Sequence, residues 1–135
     1  MKTYKPTTKS RRSMTGIDYR KLLTGDRPVK AFVSGGQRAV GRNNYGRLTV
    51  RHKGGGVKRR FRAVDFRYDK RDIPARIATI EYDPNRSGFI GLAVYADGEK
   101  RYVLLPQGVK AGESFVVSEK AELKAGNRMP LGRIP

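Results

Sequence analysis

Between Gly41 and Arg62 the chain reads GRNNYGRLTVRHKGGGVKRRFR, with Arg42, Arg47, Arg51, Lys53, Lys58, Arg59, Arg60 and Arg62 and neither Asp nor Glu. The chemistry this run supports is recognition of a polyanion. Guanidinium forks bind phosphate oxygens in pairs. The amides of Asn43 and Asn44 suit base edges, and Tyr45 offers a ring on which an unpaired base can stack. Gly54, Gly55 and Gly56 carry bare N–H groups that can approach a phosphate closely. His52 sits among these residues, where a structural or an RNA-contacting role is expected of it. A polybasic membrane patch needs no asparagines and works with an apolar face or a lipid anchor. A nucleotide-binding loop needs Gly-Lys-Ser/Thr opening a helix, and Gly56-Val57-Lys58-Arg59 does not supply it. Interleaved Arg, Gly, Asn and Tyr therefore point to RNA.

The same inventory argues against catalysis and metal binding. His52 is the only histidine, there is no cysteine, and Ser87 lacks a glycine-flanked elbow or a histidine partner. Glu81 and Asp83 are close, but Asp83 belongs to an Asp-Pro-Asn turn. No catalytic residue, metal site or cofactor is expected.

These residues are unevenly supported by the rest of the chain. Of 135 residues, 30 are Lys or Arg and 12 are Asp or Glu, a formal charge of +18. Such a charge repels itself and calls for a polyanionic partner. Residues 1–62 hold 18 basic and 2 acidic side chains, whereas residues 63–135 hold 12 and 10. The apolar residues concentrate in the second part, which can bury a core while the first cannot do so alone. The expected organisation is a basic, largely extended N-terminal arm (1–60) followed by a compact barrel (61–125). The first residues are basic without a secretory signal's apolar stretch, and no run reaches the roughly 20 residues of a membrane span, so a soluble intracellular protein is expected.

The compact part reads as all-β. FRAVDFR (61–67), ARIATIEY (75–82), FIGLAVYA (89–96), KRYVLL (100–105) and ESFVVS (113–118) are short, β-branched or aromatic, and bounded by Asp, Asn, Gly and Pro. Asp97-Gly98 predicts a two-residue hairpin turn, and Ile90, Leu92 and Val94 predict one buried face. In RLTVRHK (47–53) a period of two puts Arg47, Thr49, Arg51 and Lys53 on one face and Leu48, Val50 and His52 on the other, which predicts a strand packed on the barrel. MTGIDYRKLL (14–23) is the best helix candidate. Five short strands fit a small OB-fold-like barrel, with an SH3-like barrel as the second choice.

GRNNYGRLTVRHKGGGVKRRFR, EYDPNRSG (81–88), YADGEKRYVLLP (95–106) and GNRMPLGRIP (126–135) together resemble the N-terminal part of the bacterial large ribosomal subunit protein two family, and the resemblance extends to the KPTTKSRR arm. It implies an OB-like domain after a basic extension. It also implies a structural role in the large ribosomal subunit: binding large-subunit rRNA, supporting subunit assembly and association, and meeting neighbouring ribosomal proteins and small-subunit components. No membrane is implied, and the location is a cytoplasmic or organellar ribosome. The rRNA contacts implied are Lys9, Arg11, Arg12, Arg38, the residues named in 42–62, and Arg86. The Asp83-Pro84-Asn85 turn is expected to aim Arg86 outward, so the fold should not need its guanidinium. Val57 stands where many members have histidine. Residues 126–135 correspond to a linker toward a second, SH3-like domain of the family. The other reading of the same residues is a translation factor or RNA chaperone that uses the barrel transiently on tRNA or mRNA.

Overall fold

The computed structural model describes residues 1–25, 27–35 and 40–134. Its centre is a four-stranded antiparallel sheet made of β5 (Ala75–Glu81), β6 (Ile90–Tyr95), β7 (Lys100–Leu104) and β8 (Ser114–Phe115), in the order β7-β6-β5-β8. The sheet curls into a half-barrel, giving a small all-β, OB-like fold. Before it come β1 (Lys2–Thr3), α1 (Lys9–Arg12), β2 (Thr15–Gly16), α2 (Tyr19–Leu22), β3 (Val33–Gly35) and β4 (Arg60–Arg62). Two small ribbons pair β1 with β2 and β3 with β4.

The sheet forms where the sequence alternates β-branched and aromatic residues between turn formers. The register shifts between Ile77 and Thr79, a bulge that bends β5 and helps the sheet curl. The β6–β7 hairpin is present with a three-residue loop in place of the expected two. Tyr95 N–H donates to Glu99 O, Gly98 N–H donates to Tyr95 O, and only Gly98 takes a positive φ, +87°. That is a type I turn closed by a left-handed glycine. The Asp97 carboxylate accepts from Glu99 N–H within the loop.

Both faces of the central strands are buried, contrary to the single buried face expected of β6. On one face Ala75, Ile77, Ile80, Ala93, Tyr95, Val103, Val109 and Phe115 form the barrel core. On the other, Ile90, Leu92 and Tyr102 are covered by Val29, Phe32 and Val64. The arm therefore supplies part of the core. Thr24 N–H and Gly25 N–H donate to Ile80 O, and Ile80 N–H donates to Thr24 Oγ1, which pins the arm to β5 beside the bulge. Phe32 meets Tyr102 edge-on, and Val29 N–H donates to the Tyr102 hydroxyl at 2.9 Å. Nearer the terminus, the expected extended chain doubles back, β1 pairing with β2 around the single turn α1. The helix expected over 14–23 is reduced to the four residues of α2.

One expected strand is cut short and another is absent. FRAVDFR keeps only its first residues in β4, because the Asp65 side chain accepts from Arg67 N–H and Tyr68 N–H and Tyr68 takes φ +51°. RLTVRHK forms no strand: Leu48 makes one isolated bridge to Arg42, and His52 takes φ +59°. Leu48 and Val50 are at least half exposed, so no apolar layer holds that stretch extended. At the other end, Asn127 and Arg128 are tied to the barrel. Val116 N–H donates to Asn127 Oδ1, Arg128 N–H to Val116 O, and the Arg128 guanidinium to Leu104 O.

Candidate nucleic-acid interface

Strands β3 and β4 pair antiparallel, Val33 with Arg62 and Gly35 with Arg60, and form the stem of a long excursion whose described part begins at residue 40. Within it Asn43, Tyr45, Arg47 and Gly46 build a tight turn. Asn43 Oδ1 accepts from Tyr45 N–H at 3.1 Å and Arg47 N–H at 2.9 Å. The Asn43 carbonyl oxygen accepts from Gly46 N–H. One edge of the Asn43 amide is therefore committed to its own turn, which leaves the NH2 group for a partner. A second tie brings the chain back: Thr49 N–H, Val50 N–H and Thr49 Oγ1 all donate to Gly41 O.

Beyond that tie the chain is open. Residues 42–61 are all exposed, Tyr45 at 82% and Val57 at 86%. Gly54, Gly55 and Gly56 take φ of +120°, +69° and +78° in succession. Three successive positive φ values follow a backbone path that only glycine adopts without strain, and they leave these N–H groups without side-chain cover. No ion pair among the described residues includes a side chain before Asp65. Arg42, Arg47, Arg51, Lys53, Lys58, Arg59 and Arg60 are thus all solvent-facing and unpaired among the described residues, and Asn44, Tyr45 and His52 are exposed beside them in sequence. Lys9, Arg11 and Arg12 lie apart on α1, exposed, with the Arg11 guanidinium 5.6 Å from the centre of the Tyr4 ring. Arg38 lies outside the described residues.

Two of the named arginines depart from expectation. Arg62 is only 8% exposed, and its Nη1 donates to Arg60 O. Arg62 is the buried residue of β4, while Arg60 and Phe61 are exposed. Arg86 does not simply project. It forms an ion pair with Asp83, whose side chain is fully buried, and its guanidinium lies 5.5 Å from the centre of the Phe66 ring. A buried carboxylate needs a partner, so the fold uses the guanidinium that was expected to be free of structural duty. The turn itself forms as its residues dictate, Asn85 N–H donating to Asp83 Oδ1 at 2.8 Å. Asn85 Nδ2 donates to Arg60 O, which sets the Arg86 turn against the stem of the basic excursion.

Sequence reasoning missed the barrel's own charge network. Arg101 pairs with Asp65, Asp69 and Glu99, and Lys70 with Asp97 and Glu99. Burial pushes the Asp65 carboxyl up, but Arg101 and the N–H groups of Tyr68 and Arg67 outweigh it and hold it below its ordinary value. Desolvation, reinforced by its hydrogen bond to Glu81, pushes the Tyr102 hydroxyl up to about 12. Acidic and basic residues interspersed over 65–71 and 97–101 were the available signal, though not the pairing. Among the described residues, no group of three His, Asp or Glu side chains is placed to hold a metal ion, and no helix is long and apolar enough to cross a membrane.

A cationic, acid-free excursion on an OB-like half-barrel is an arrangement for gripping nucleic acid. The sequence model of ribosomal proteins L2, RNA binding N-terminal domain, matches residues 29–118, beginning at the Val29 that packs on the sheet. That span is most of the chain, which therefore belongs to this family, a structural, RNA-binding and non-enzymatic family of the ribosome.

Proposed function

We propose that the chain is a structural constituent of the large ribosomal subunit, that it binds large-subunit rRNA, and that it supports subunit assembly and association in contact with neighbouring ribosomal proteins and small-subunit components. The observation that carries this reading is the surface of residues 42–60: exposed, cationic, rich in left-handed glycines, and without a counter-ion among the described residues. Inserted between RNA strands, it neutralises phosphates and releases their counter-ions. Asn44, Tyr45 and the NH2 of Asn43 add base-edge and stacking contacts. The residues of 1–60 act as the RNA-gripping extension, with Lys9, Arg11, Arg12 and Arg38 among its contacts, and 61–125 as the barrel that presents it. Arg86, held by Asp83, offers RNA its remaining guanidinium edge. The location that follows is a ribosome, cytoplasmic or organellar.

The test is co-sedimentation. Tagged chain that stays with large subunits through a high-salt wash, and is displaced from small subunits and from free tRNA and mRNA, supports the reading. Release from large subunits at the same salt as from tRNA overturns it in favour of a transient factor.

A further inference from the structure

Away from the basic excursion, a cavity of about 390 Å³ opens where α2 and the arm meet the end of β5, lined by Tyr19, Arg20, Leu23, Arg62, Glu81 and Tyr82. Its volume falls within the roughly 300–1,000 Å³ of small-ligand sites. The mouth is aromatic and cationic: Tyr19 and Tyr82 are both about half exposed, their rings meet edge to face at 5.4 Å, and Arg20 is exposed beside them. The deeper wall is polar. Arg62 and Glu81 are 8% and 5% exposed, and Arg62 Nε has no hydrogen-bond partner. Each Glu81 oxygen accepts one hydrogen bond, from Tyr102 Oη or Thr79 Oγ1, and retains a second lone pair.

These features ask for a flat ligand with an edge that both donates and accepts. A phosphate suits the arginines but is repelled by the Glu81 carboxylate. An unstacked base suits all of them, because its face stacks on tyrosine and its edge finds a carboxylate beside a guanidinium. Among the bases, guanine places two N–H donors next to a carbonyl acceptor. Resting on the RNA-binding reading above, the geometry points to a second RNA site in this cavity, which takes one extruded guanine: N1–H and the N2 amine donate to Glu81, O6 accepts from Arg62, and Tyr82 stacks on the ring.

The test uses the full chain with deproteinised large-subunit rRNA and two probes. Hydroxyl radicals report backbone protection, and a glyoxal reagent adds across N1 and N2 of unpaired guanine. The expected result is one unpaired guanine inside the backbone footprint that is protected by the wild-type chain. It regains reactivity by about ten-fold or more with Tyr82→Leu, the footprint and melting temperature staying as they were. In parallel, guanosine monophosphate should shift the Tyr19 and Tyr82 ring resonances at concentrations where ribose 5-phosphate does not. A backbone footprint with guanine reactivities identical in the two proteins overturns the cavity site and leaves the RNA-binding reading standing. Equal shifts from ribose 5-phosphate overturn it in favour of a plain anion site. Absence of any footprint overturns both readings.

Discussion

Arg101 and Arg51 carry the same guanidinium in opposite circumstances. Arg101 sits 24% exposed among Asp65, Asp69 and Glu99, one cation shared by three carboxylates. Arg51 stands in solvent on a stretch with no acidic residue between Gly41 and Arg62. Several barrel cations are likewise consumed by structure: Lys70 by Asp97 and Glu99, Arg86 by Asp83, Arg128 by Leu104 O and the Tyr68 ring at 3.5 Å. In the excursion the cations are left over. The difference teaches that charge identifies an RNA-binding region only where the fold has provided no internal partner.

The largest expected effect tests whether the excursion's cations meet phosphates. If about 6–8 phosphates are neutralised, affinity for large-subunit rRNA falls by about 10³–10⁴ between 50 and 200 mM salt, taking the duplex-DNA slope as guide. Replacing Arg51, Lys53, Lys58 and Arg59 by Gln should reduce that slope by about 4 and leave the melting temperature within the small range of surface substitutions. A filter-binding series whose slope is the same for wild type and variant would place the contacts elsewhere.

The next effect is on stability and belongs to Arg86. Arg86→Ala strands a fully buried Asp83 carboxylate. The cost should be about 2–4 kcal/mol by urea denaturation, toward the low end because Arg86 is itself partly exposed. Adding Asp83→Asn removes the stranded charge and should restore part of the loss. An Arg86→Ala chain as stable as wild type would return this arginine to the excursion's class.

How far these roles could be read from sequence follows the same division. Strands β5, β6 and β7 were legible because Ile, Val and Tyr repeat between Asp, Pro and Gly over lengths that suit only strands. The cationic run was legible because its lack of acids is a property of the sequence itself. Arg62 and Arg86 were not, because each is decided by a contact distant in sequence or by which carboxylate the fold buries. The strand predicted over 47–53 failed for a related reason. Alternation of Leu48, Val50 and Arg side chains makes a strand only where a core waits behind it, and the core face was already filled by Val29 and Phe32. The Tyr19–Tyr82 cavity had no local signature, since its walls come from α2, β4 and the end of β5.

The arm's place on the barrel can be broken at Tyr102, which is fully buried, accepts from Val29 N–H and donates to Glu81 Oε2 at 2.7 Å. Tyr102→Phe should cost about 1–3 kcal/mol by leaving both groups unpartnered. The pH dependence has a definite sign. With the folded-state pKa raised from 10.0 to about 12, the hydroxyl's contribution is fully present below pH 10 and is lost as pH rises toward 12. Wild-type stability should therefore fall by up to about 2–3 kcal/mol more than the variant's across that window. Parallel curves would mean that this hydroxyl ionises as easily folded as unfolded.

The smallest effect separates the two regions most cleanly. Gly55 and Gly98 both take left-handed φ, +69° and +87°, and a methyl group added at either meets no atom within 4 Å. Alanine at each position thus carries the same backbone strain, about 1 kcal/mol, without a steric clash. At Gly98 the strain falls on the hairpin that joins β6 to β7, so it should appear as a drop of a few degrees in melting temperature, with RNA affinity unchanged. At Gly55 it falls on backbone that contributes nothing to the barrel. Gly55→Ala should therefore melt like wild type and bind large-subunit rRNA several-fold more weakly, because the left-handed backbone path at Gly55 must be re-formed against strain on binding. Calorimetry and filter binding on the two variants read both quantities directly. If Gly55→Ala lowers the melting temperature as much as Gly98→Ala, the excursion is coupled to the core and the contrast between a structural barrel and a left-over cationic surface fails.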